Sequence, residues 1–371
     1  MKVLKLENVW KYYRGRPVLK NISLEIKSGQ FFSLLGPTGS GKTTLLKVIA
    51  GLEKPDKGRI YLDGEDITEF PPSKRKVSFV FQTFALYPTM SVYENIAAPL
   101  KNQKVSTDEI NRRVKKVTEI LGISHLLSRS VMEISGGEAQ RTAFARALVK
   151  DFSILLMDEP LTNVDYKIRE RMRVELKKLY YSLIGEGNES IWVYATPDPR
   201  EALALSTHIA VLHNGEILQS GPSLEVYYNP SHILVAGYIS YPWLNRIKGR
   251  VVQHASGEYY INIDDKILLK ANKLKESSME VKECILGIRP SCIRLSDQKS
   301  PDDIEMKSYC KLVEISGSET ILHLTVGSQD LVALIGERLG SEIERTEINI
   351  YVSPRDIFIF SPEGKFMTKL M

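Results

Sequence analysis

Residues 36–43 form a glycine-rich stretch that lies between a short apolar run, Phe31–Leu35, and an apolar helical run, Leu45–Ile49. A strand that passes through such a turn into a helix points backbone N–H groups and the positive end of the helix dipole at one anion. A lysine followed by a threonine adds a charge that reaches terminal phosphates and a hydroxyl that can ligate Mg²⁺. An incidental glycine-rich turn would lack this spacing and context. The stretch therefore predicts a cradle for terminal phosphates and the Mg²⁺ that accompanies them.

The residues expected to hold the nucleotide are those of the turn and the first helical residues. They are Gly36, Pro37, Thr38, Gly39, Ser40, Gly41, Lys42, Thr43 and Thr44. Lys42 is also expected to act in catalysis and Thr43 to ligate the metal ion.

The composition is that of an ordinary globular chain with a weak basic excess. Because 371 residues exceed one ordinary core, two domains are expected, the first with room for an inserted subdomain. The formal charge of +5 comes without a Lys/Arg tract, so nucleic acid is not expected as a partner. Cys284, Cys292 and Cys310 lack metal-ligand spacing and are expected to be buried packing residues in a reducing cytosol.

The sequence also suggests how the chain relates to membranes. The N-terminal residues mix acidic and basic side chains, unlike a signal peptide, and no apolar run approaches the roughly 18 residues that cross a bilayer. Any membrane connection is therefore expected through another protein.

Short alternations of apolar and polar residues over 3–35 predict antiparallel β-structure. Further along, continuously apolar strands alternate with helical segments, which predicts a largely parallel sheet. The predicted strands are Val77–Phe81, Ile154–Met157, Ile191–Ala195 and Ile209–Leu212. Between Ser91 and Lys150 the pattern is helical, with amphipathic spacing over Thr107–Leu121, so a helical insert is expected there.

After about Pro230 the helical signal fades and many short strands follow, which predicts a β-barrel domain. Proline and small residues cluster between Pro230 and Pro242, so we place the domain boundary there. The expected domains are residues 1–235, with a helical subdomain at about 90–150, and residues 236–371. The predicted strands of the second are Tyr259–Ile263, Cys284–Ile288, Ile321–Val326, Leu331–Ile335, Ile348–Val352 and Ile357–Phe360.

A second nucleotide motif follows the apolar run that begins at Ile154. Asp158 and Glu159 end that strand. Asp158 can hold Mg²⁺ opposite Thr43, while Glu159 can orient and deprotonate the water that attacks the γ-phosphate. Two adjacent acids could also be a solvated strand end, but the phosphate loop upstream favours the catalytic interpretation.

Between these motifs, Ser135-Gly-Gly-Glu-Ala-Gln-Arg141 resembles the signature of the ATP-binding-cassette (ABC) ATPases. The resemblance implies an α/β fold, with a P-loop NTPase (RecA-like) core that carries antiparallel β and helical subdomains. The hydroxyl of Ser135 and the amides of Gly136 and Gly137 are then expected to contact ATP at a helix start. Without the flanking motifs, Ser-Gly-Gly would indicate only a helix N-cap and a flexible turn.

Other residues match further motifs of the same family. Gln82 resembles its Q-loop glutamine, which implies roles in catalysis, nucleotide binding and metal ligation. Tyr13 resembles the aromatic residue that stacks on adenine, with Tyr12 as its rival and a strand aromatic in a β core as the alternative. Asp165 ends the segment that corresponds to the D-loop.

The resemblance is closest to the ATPases of maltose-type sugar importers. It rests on Phe84-Ala-Leu-Tyr-Pro88 after the Q-loop and on three phrases near the C-terminus, Gly287–Pro290, Gly317–Thr320 and Ser353–Asp356. It implies a C-terminal regulatory domain of OB type (TOBE-like) and a location on the cytoplasmic face of the membrane. It also implies two membrane-spanning permease subunits, which dock near Gln82–Tyr93 with Phe84, Leu86 and Tyr87 in the groove, and an extracellular solute-binding protein that acts indirectly.

In this family two ATPase subunits face each other head to tail, each ATP lying between the phosphate loop of one and the signature of the other. The chain departs from the pattern at Pro197, where a switch histidine is expected after Thr196. Proline offers no donor, and losing one donor to a transferring phosphoryl group costs roughly 10² to 10³ in rate. Glu138, in place of glutamine in the signature, is a milder departure. Because a symmetric dimer would carry the Pro197 defect twice, a heterodimer with a second ABC ATPase subunit is favoured over a slow homodimer.

The sequence therefore predicts the ATP-binding, energy-coupling subunit of an ABC importer for sugars or polyols. A nucleotide-gated regulatory or scaffold subunit with little hydrolysis is a second hypothesis, supported by Pro197. A cassette ATPase unrelated to transport is a third, disfavoured by the importer-like loop at Phe84–Pro88 and the absence of basic tracts.

Overall fold

The computed structural model describes residues 1–162, 166–185, 187, 189–253, 258–264, 267–271, 283–295 and 298–371. The chain divides into two compact units, Met1–Ser223 and Leu224–Met371.

The first unit begins with a four-stranded antiparallel sheet. In spatial order its strands are β2 (Arg16–Lys27), β1 (Val3–Tyr13), β4 (Lys57–Leu62) and β5 (Glu65–Asp66). Leu4, Leu6 and Ile22 point from β1 and β2 into a core that also contains residues of the helix after the phosphate loop. The alternation seen in the sequence is thus a half-buried sheet, as expected.

A six-stranded sheet forms the centre of the first unit. In spatial order its strands are β10 (Glu216–Pro222), β9 (His208–His213), β3 (Phe31–Leu35), β8 (Ile191–Thr196), β7 (Ile154–Asp158) and β6 (Val77–Val80). The five strands from β9 to β6 are parallel, and only β10 runs antiparallel to its neighbour. Although residues 3–35 were all expected to be antiparallel β, β3 lies here instead. It is buried along its whole length between β8 and β9, as parallel strands are.

Helices cover this sheet and fill the interval between β6 and β7. The helices of the first unit are α1 (Lys42–Ala50), α2 (Val92–Asn102), α3 (Thr107–Ile120), α4 (Gly136–Leu148), α5 (Tyr166–Gly185) and α6 (Pro199–Leu205). α2, α3 and α4 pack together through a core that includes Ile96, Val114 and Phe144. The helical insert expected from the sequence is therefore present.

Arg75 holds the far end of α1, the helix that follows the phosphate loop. Its side chain is buried, and its guanidinium donates to the carbonyls of Val48 and Ile49 at 2.8 and 2.9 Å and to those of Thr68 and Phe70 at 2.7 and 2.8 Å. A cation at the carboxyl end of a helix is favoured by the dipole. Burial lowers the pKa of Arg75.

The second unit is dominated by strands that form two antiparallel sheets. One sheet contains, in spatial order, β13 (Ile267–Lys270), β12 (Tyr259–Ile263), β11 (Asn245–Gln253), β14 (Glu283–Ile288), β20 (Ile357–Phe360) and β21 (Phe366–Lys369). The other contains β15 (Ile293–Arg294), β19 (Glu347–Val352), β16 (Ile304–Ser316), β17 (Glu319–Val326) and β18 (Gln329–Ile335). Both sheets contribute to one hydrophobic core, and this all-β region agrees with the expected OB-type domain. Cys284 and Cys310 are buried as expected, whereas Cys292 is partly exposed.

Two short helices, α7 (Ser223–Tyr228) and α8 (Ile233–Tyr238), precede these strands. Ile233 and Ala236 of α8 pack against Leu244, Phe358 and Phe360. Because of this packing the second unit begins at Leu224, earlier than residue 236 expected from the sequence. The assignment of nucleotide binding to residues 1–235 and of regulation to the remainder stays a prediction.

Candidate functional site

The phosphate loop, the acidic pair, Gln82 and Pro197 all lie just past the carboxyl ends of neighbouring parallel strands. The loop follows β3, Pro197 follows β8, Asp158 and Glu159 end β7, and Gln82 comes after β6. Open α/β sheets bind ligands at this edge. The fold thus brings together motifs that are far apart in the sequence.

The backbone of the phosphate loop depends on its glycines. Gly39 and Gly41 have φ of +81° and +109°, conformations that other residues avoid. A Cβ on Gly36 would lie 2.2 Å from the carbonyl oxygen of Leu212. Gly41 is the N-cap of α1 and provides no side-chain cap, so the N–H groups of the first turn remain available to a ligand. The buried Ser40 hydroxyl has no hydrogen-bond partner in the described part of the chain, which leaves the loop with an unsatisfied donor.

The ammonium of Lys42 is buried beneath this loop. It donates to the carbonyls of Gly36 and Pro37 at 2.9 and 3.0 Å and forms an ion pair with Glu159 Oε1 at 3.2 Å. The lysine of one motif is therefore paired directly with the carboxylate of the other.

Thr43 and Asp158 form the second link between the two motifs. Thr43 Oγ1 donates to Asp158 Oδ1 at 3.0 Å. Burial raises the pKa of Asp158, and the neighbouring Glu159 adds to the increase, while the Thr43 hydrogen bond opposes it. A hydroxyl and a carboxylate are the hard oxygen ligands that Mg²⁺ prefers.

Glu159 has an unusual backbone conformation. Its φ is +45°, and its N–H donates to the carbonyl of Ala195 at the end of β8 at 3.0 Å. Gln82 Nε2 lies 3.5 Å from Glu159 Oε2, at the limit of a hydrogen bond. A non-glycine residue with positive φ persists where its surroundings hold it, and such residues cluster at active sites.

One of those holding contacts comes from α4. Gln140 is fully buried, and its side-chain amide donates to the carbonyl of Pro160, the residue after Glu159. Its own amide oxygen has no hydrogen-bond partner in the described residues. The sequence placed Gln140 in the signature without giving it a role, since nothing local indicates that it reaches the acidic loop.

The structure separates the two candidate aromatic residues for adenine. Tyr13 is 39% exposed, and its hydroxyl interacts with Thr44 of the phosphate loop and with Glu53; burial and Glu53 raise its pKa. Tyr12 instead stacks on Trp10, with ring centroids 6.0 Å apart. The geometry favours Tyr13, although adenine stacking stays a prediction.

The signature residues start α4. Ser135 is the N-cap, accepting the N–H of Glu138 at 3.4 Å, while its own N–H and hydroxyl both donate to the Glu138 carboxylate at 2.8 Å. These hydrogen bonds lower the pKa of Glu138. In the described part of the chain, no hydrogen bond or ion pair joins Ser135, Gly136 or Gly137 to the phosphate loop. Their contact with ATP stays a prediction, and Asp165 lies outside the described residues.

Pro197 lies between β8 and α6, beside a buried acidic residue. Glu201 accepts hydrogen bonds from Tyr194 at 2.9 Å and Thr196 at 2.6 Å, and burial raises its pKa. His208 faces Gln30, its Nε2 lying 3.1 Å from the amide nitrogen. Glu201 accepts hydrogen bonds here, so it does not replace the donor that is missing at Pro197.

A groove of 710 Å³ opens beside the segment after Gln82. Aromatic and apolar side chains such as Phe79, Phe81 and Tyr87 line it together with polar and charged ones, which include Arg146 and Asp151. Of the three residues expected in such a groove, only Tyr87 lines it. Phe84 and Leu86 are partly buried and pack against the hydrophobic core.

Comparisons with known proteins agree with this geometry. The family model for ABC transporters matches residues 19–162. A trehalose/maltose import ATP-binding protein of Thermococcus litoralis is 39% identical over 96% of this chain and 97% of its own length. This chain belongs to the ABC transporter family, as an ATP-binding protein. An oligosaccharides import ATP-binding protein of Bacillus subtilis is 37% identical over 91% of this chain and 92% of its own length.

Solved structures give the same result for the first unit. A dimeric structure of the ATP-binding cassette MJ0796, in a post-hydrolysis state with ADP and Pi, is 32% identical. It covers 59% of this chain and 98% of its own, with a TM-score of 0.53. The predicted resemblance and fold class are confirmed, and the chain is an ABC-type ATPase. Among the described residues, no helix has the length and apolarity needed to cross a bilayer.

Proposed function

We propose that this chain is the energy-coupling subunit of an importer for sugars or polyols, binding and hydrolysing MgATP at a head-to-tail dimer interface. The observation that carries the proposal is the meeting of Lys42, Thr43, Asp158 and Glu159 at one edge of the parallel sheet. The solute class is supported by the names of the relatives, which import trehalose/maltose and oligosaccharides.

In this proposal Mg²⁺ is held by Thr43 and Asp158, with Gln82 as a further ligand. The described residues contain no group of three or more His, Cys, Asp or Glu side chains able to hold a metal ion. Mg²⁺ commonly takes one or two carboxylates and completes its shell with phosphate oxygens and water, so the residues present fit the ion. When bound, it neutralises charge on the phosphates.

Hydrolysis is assigned to Glu159, assisted by Lys42 and Gln82. The Lys42–Glu159 ion pair at 3.2 Å suggests how binding prepares the site. Triphosphate oxygens compete for the ammonium of Lys42, and the freed carboxylate of Glu159 can then orient a water and accept its proton. Gln82 lies two residues after β6 with its Nε2 3.5 Å from Glu159 Oε2, so its contact with Glu159 would change at the same step.

Pro197 is expected to slow this chemistry, because the position offers neither a side-chain donor nor a backbone N–H. The missing donor corresponds to a rate lower by roughly 10² to 10³. The sequence favoured a heterodimer for this reason. The comparisons give no support to a second kind of ATPase subunit, and the related cassette MJ0796 is dimeric. ATP turnover of the isolated chain distinguishes the two alternatives. Rapid hydrolysis by the chain alone would exclude the need for a second kind of ATPase subunit.

The proposed partners in the membrane are two permease subunits, so the chain would be peripheral on the cytoplasmic face. The groove beside Tyr87 supports this assignment, because it is large, contains several aromatic and apolar side chains and lies beside the segment after Gln82. An extracellular solute-binding protein would act on this chain only through the permeases.

A regulatory or scaffold subunit that binds ATP but hydrolyses little is the second candidate, favoured by Pro197. Calorimetry and turnover on the full chain distinguish the two. We expect MgATP to bind, Lys42→Ala to abolish binding and Lys47→Ala, a lysine of the same helix, to preserve it. Turnover that Glu159→Gln abolishes would support the ATPase, whereas tight binding with negligible turnover, alone and with any companion ATPase, would support the scaffold. No Mg²⁺-dependent binding to folded protein would refute both.

A further inference from the structure

Two consecutive residues after Gln82 have left-handed backbone conformations. Phe84 has φ of +62° and Ala85 of +48°. Neither is glycine, and a bulky aromatic residue is especially rare in this region. Each such residue raises the energy of the fold and persists only where its surroundings hold it. The Phe84–Ala85 turn therefore needs contacts that keep it in this form.

One side chain that contacts the turn is that of Arg146, near the end of α4. Its guanidinium donates to the carbonyl of Phe84 at 2.7 Å and to that of Ala85 at 2.8 Å. It also lies over the ring of Tyr87, 5.6 Å from the centroid. Among the described residues no carboxylate is within ion-pair distance of Arg146, and burial lowers its pKa. The charge of this arginine is thus directed at the two carbonyls that the left-handed turn presents.

The residues on either side of the turn show what it connects. Tyr87 is fixed by buried Asn95, whose amide accepts its N–H at 2.8 Å and donates to its carbonyl at 3.1 Å. Two residues before the turn, Gln82 reaches Glu159. The turn therefore lies between Tyr87, which Asn95 holds, and Gln82, which reaches Glu159. Arg146 also lines the groove, so a bound partner would touch the residue that holds the turn.

We propose that Arg146 is a positioning residue that holds the Phe84–Ala85 turn in its left-handed form and thereby sets Gln82 against Glu159. This inference deepens the proposed function and rests on it for the roles of Gln82 and Glu159. The same helix α4 carries Gln140, which holds the loop after Glu159. α4 thus contacts both the turn after Gln82 and the loop after Glu159.

The test uses the full chain and a rescue that depends on backbone conformation. Arg146→Met keeps most of the side-chain volume but removes both donors. We expect kcat for ATP to fall about tenfold, with KM changed less than about twofold, because the turn loses a contact that offsets its strain. Ala85→Gly added to Arg146→Met should restore most of the lost kcat, since glycine adopts positive φ without strain.

The matched control is Ala98→Gly in the same background. Ala98 lies within the helix α2, and its φ is not positive, so this glycine relieves no left-handed strain and should restore nothing. If Arg146 only stabilised the fold, Ala85→Gly and Ala98→Gly would have the same effect on kcat. Equal rescue by both, or an unchanged kcat in Arg146→Met, would overturn the inference.

Hydrogen exchange supplies a second measurement that does not depend on turnover. In Arg146→Met the amides of Phe84 and Ala85 should exchange about tenfold faster, and Ala85→Gly should reverse the change at residue 84. Should Arg146→Met fail to fold, Arg146→Lys, which loses the paired donors, takes its place.

The two proposals fail in different ways. Absence of ATP turnover in the wild-type chain would count against the proposed function alone, whereas unchanged hydrogen exchange at the turn would refute the role of Arg146.

Discussion

Replacing Gln140 by methionine separates the positioning of the catalytic loop from the stability of the fold. Gln140 is fully buried, donates to the carbonyl of Pro160 and leaves its own amide oxygen without a partner in the described chain. Methionine has a similar volume and shape but cannot donate. The substitution therefore removes one hydrogen bond and one unsatisfied acceptor together.

The expected magnitudes follow from this pairing. Leaving the Pro160 carbonyl unsatisfied costs about 1–3 kcal/mol. Removing the buried, unpartnered oxygen of Gln140 returns about 1–3 kcal/mol. Because the two terms oppose each other, the free energy of unfolding should change by less than about 2 kcal/mol. The loop that carries Glu159, however, loses one of its holding contacts, and displacement of a catalytic group by about 1 Å can cost on the order of 10² in rate.

The assay combines urea unfolding of the full chain with steady-state ATP hydrolysis, expressed per folded molecule. We expect kcat to fall between about tenfold and a hundredfold, while the free energy of unfolding changes by less than about 2 kcal/mol. Thr142→Val is the control. Among the residues that the structure describes, the Thr142 hydroxyl donates only within α4, to the carbonyl of Glu138 at 2.8 Å, so this variant should keep wild-type kcat. A large loss of stability with normal kcat per folded molecule would refute the reasoning.

Three further outcomes are expected. Arg75→Lys should destabilise the first unit by about 2–4 kcal/mol, measured by thermal or urea unfolding, because an ammonium cannot serve four carbonyls as the guanidinium does; a change below about 0.5 kcal/mol would contradict this. Pro197→His should raise ATP turnover of the isolated chain by roughly 10², and an unchanged rate would show that chemistry is not limiting there. Glu201 has a pKa raised above its ordinary value of 4.5, so the folded state retains its proton longer than the unfolded state and stability falls as pH rises from 4.5 towards the folded pKa. Glu201→Gln removes this titration, so the free energy of unfolding of the variant minus that of the wild type should increase as pH rises over that window. Urea unfolding at a series of pH values measures this difference, and a difference that stays constant or decreases would contradict the raised pKa of Glu201.

Local sequence was sufficient for the motifs whose chemistry depends on neighbours in the chain. The glycines, Lys42 and Thr43 lie within eight residues, and the strand before them was placed correctly at Phe31–Leu35. Asp158 and Glu159 were recognised because they end an apolar strand. Such signals are readable since backbone conformation and helix dipoles act over a few residues.

Some strands of the second unit could not be predicted from the local sequence pattern. β11 and β16 were not predicted, although β16 buries Met306, Ser308 and Cys310 in alternation. Polar residues on both faces hid the pattern, and the pairing of β16 with β17 and β19 depends on residues up to about 50 positions away. The strands found from sequence were those with nearly continuous apolar character.

That this chain binds a nucleotide, and that residue 197 is a proline without a hydrogen-bond donor, could be read from the sequence, because both follow from residue type at a given place. Three contacts are known from the three-dimensional structure alone: Lys42 pairs with Glu159, Tyr13 rather than Tyr12 approaches the phosphate loop, and Arg146 donates to the turn after Gln82. These contacts join elements that meet across a sheet or along a helix. Their partners are chosen by packing over long sequence separations, which no local pattern records.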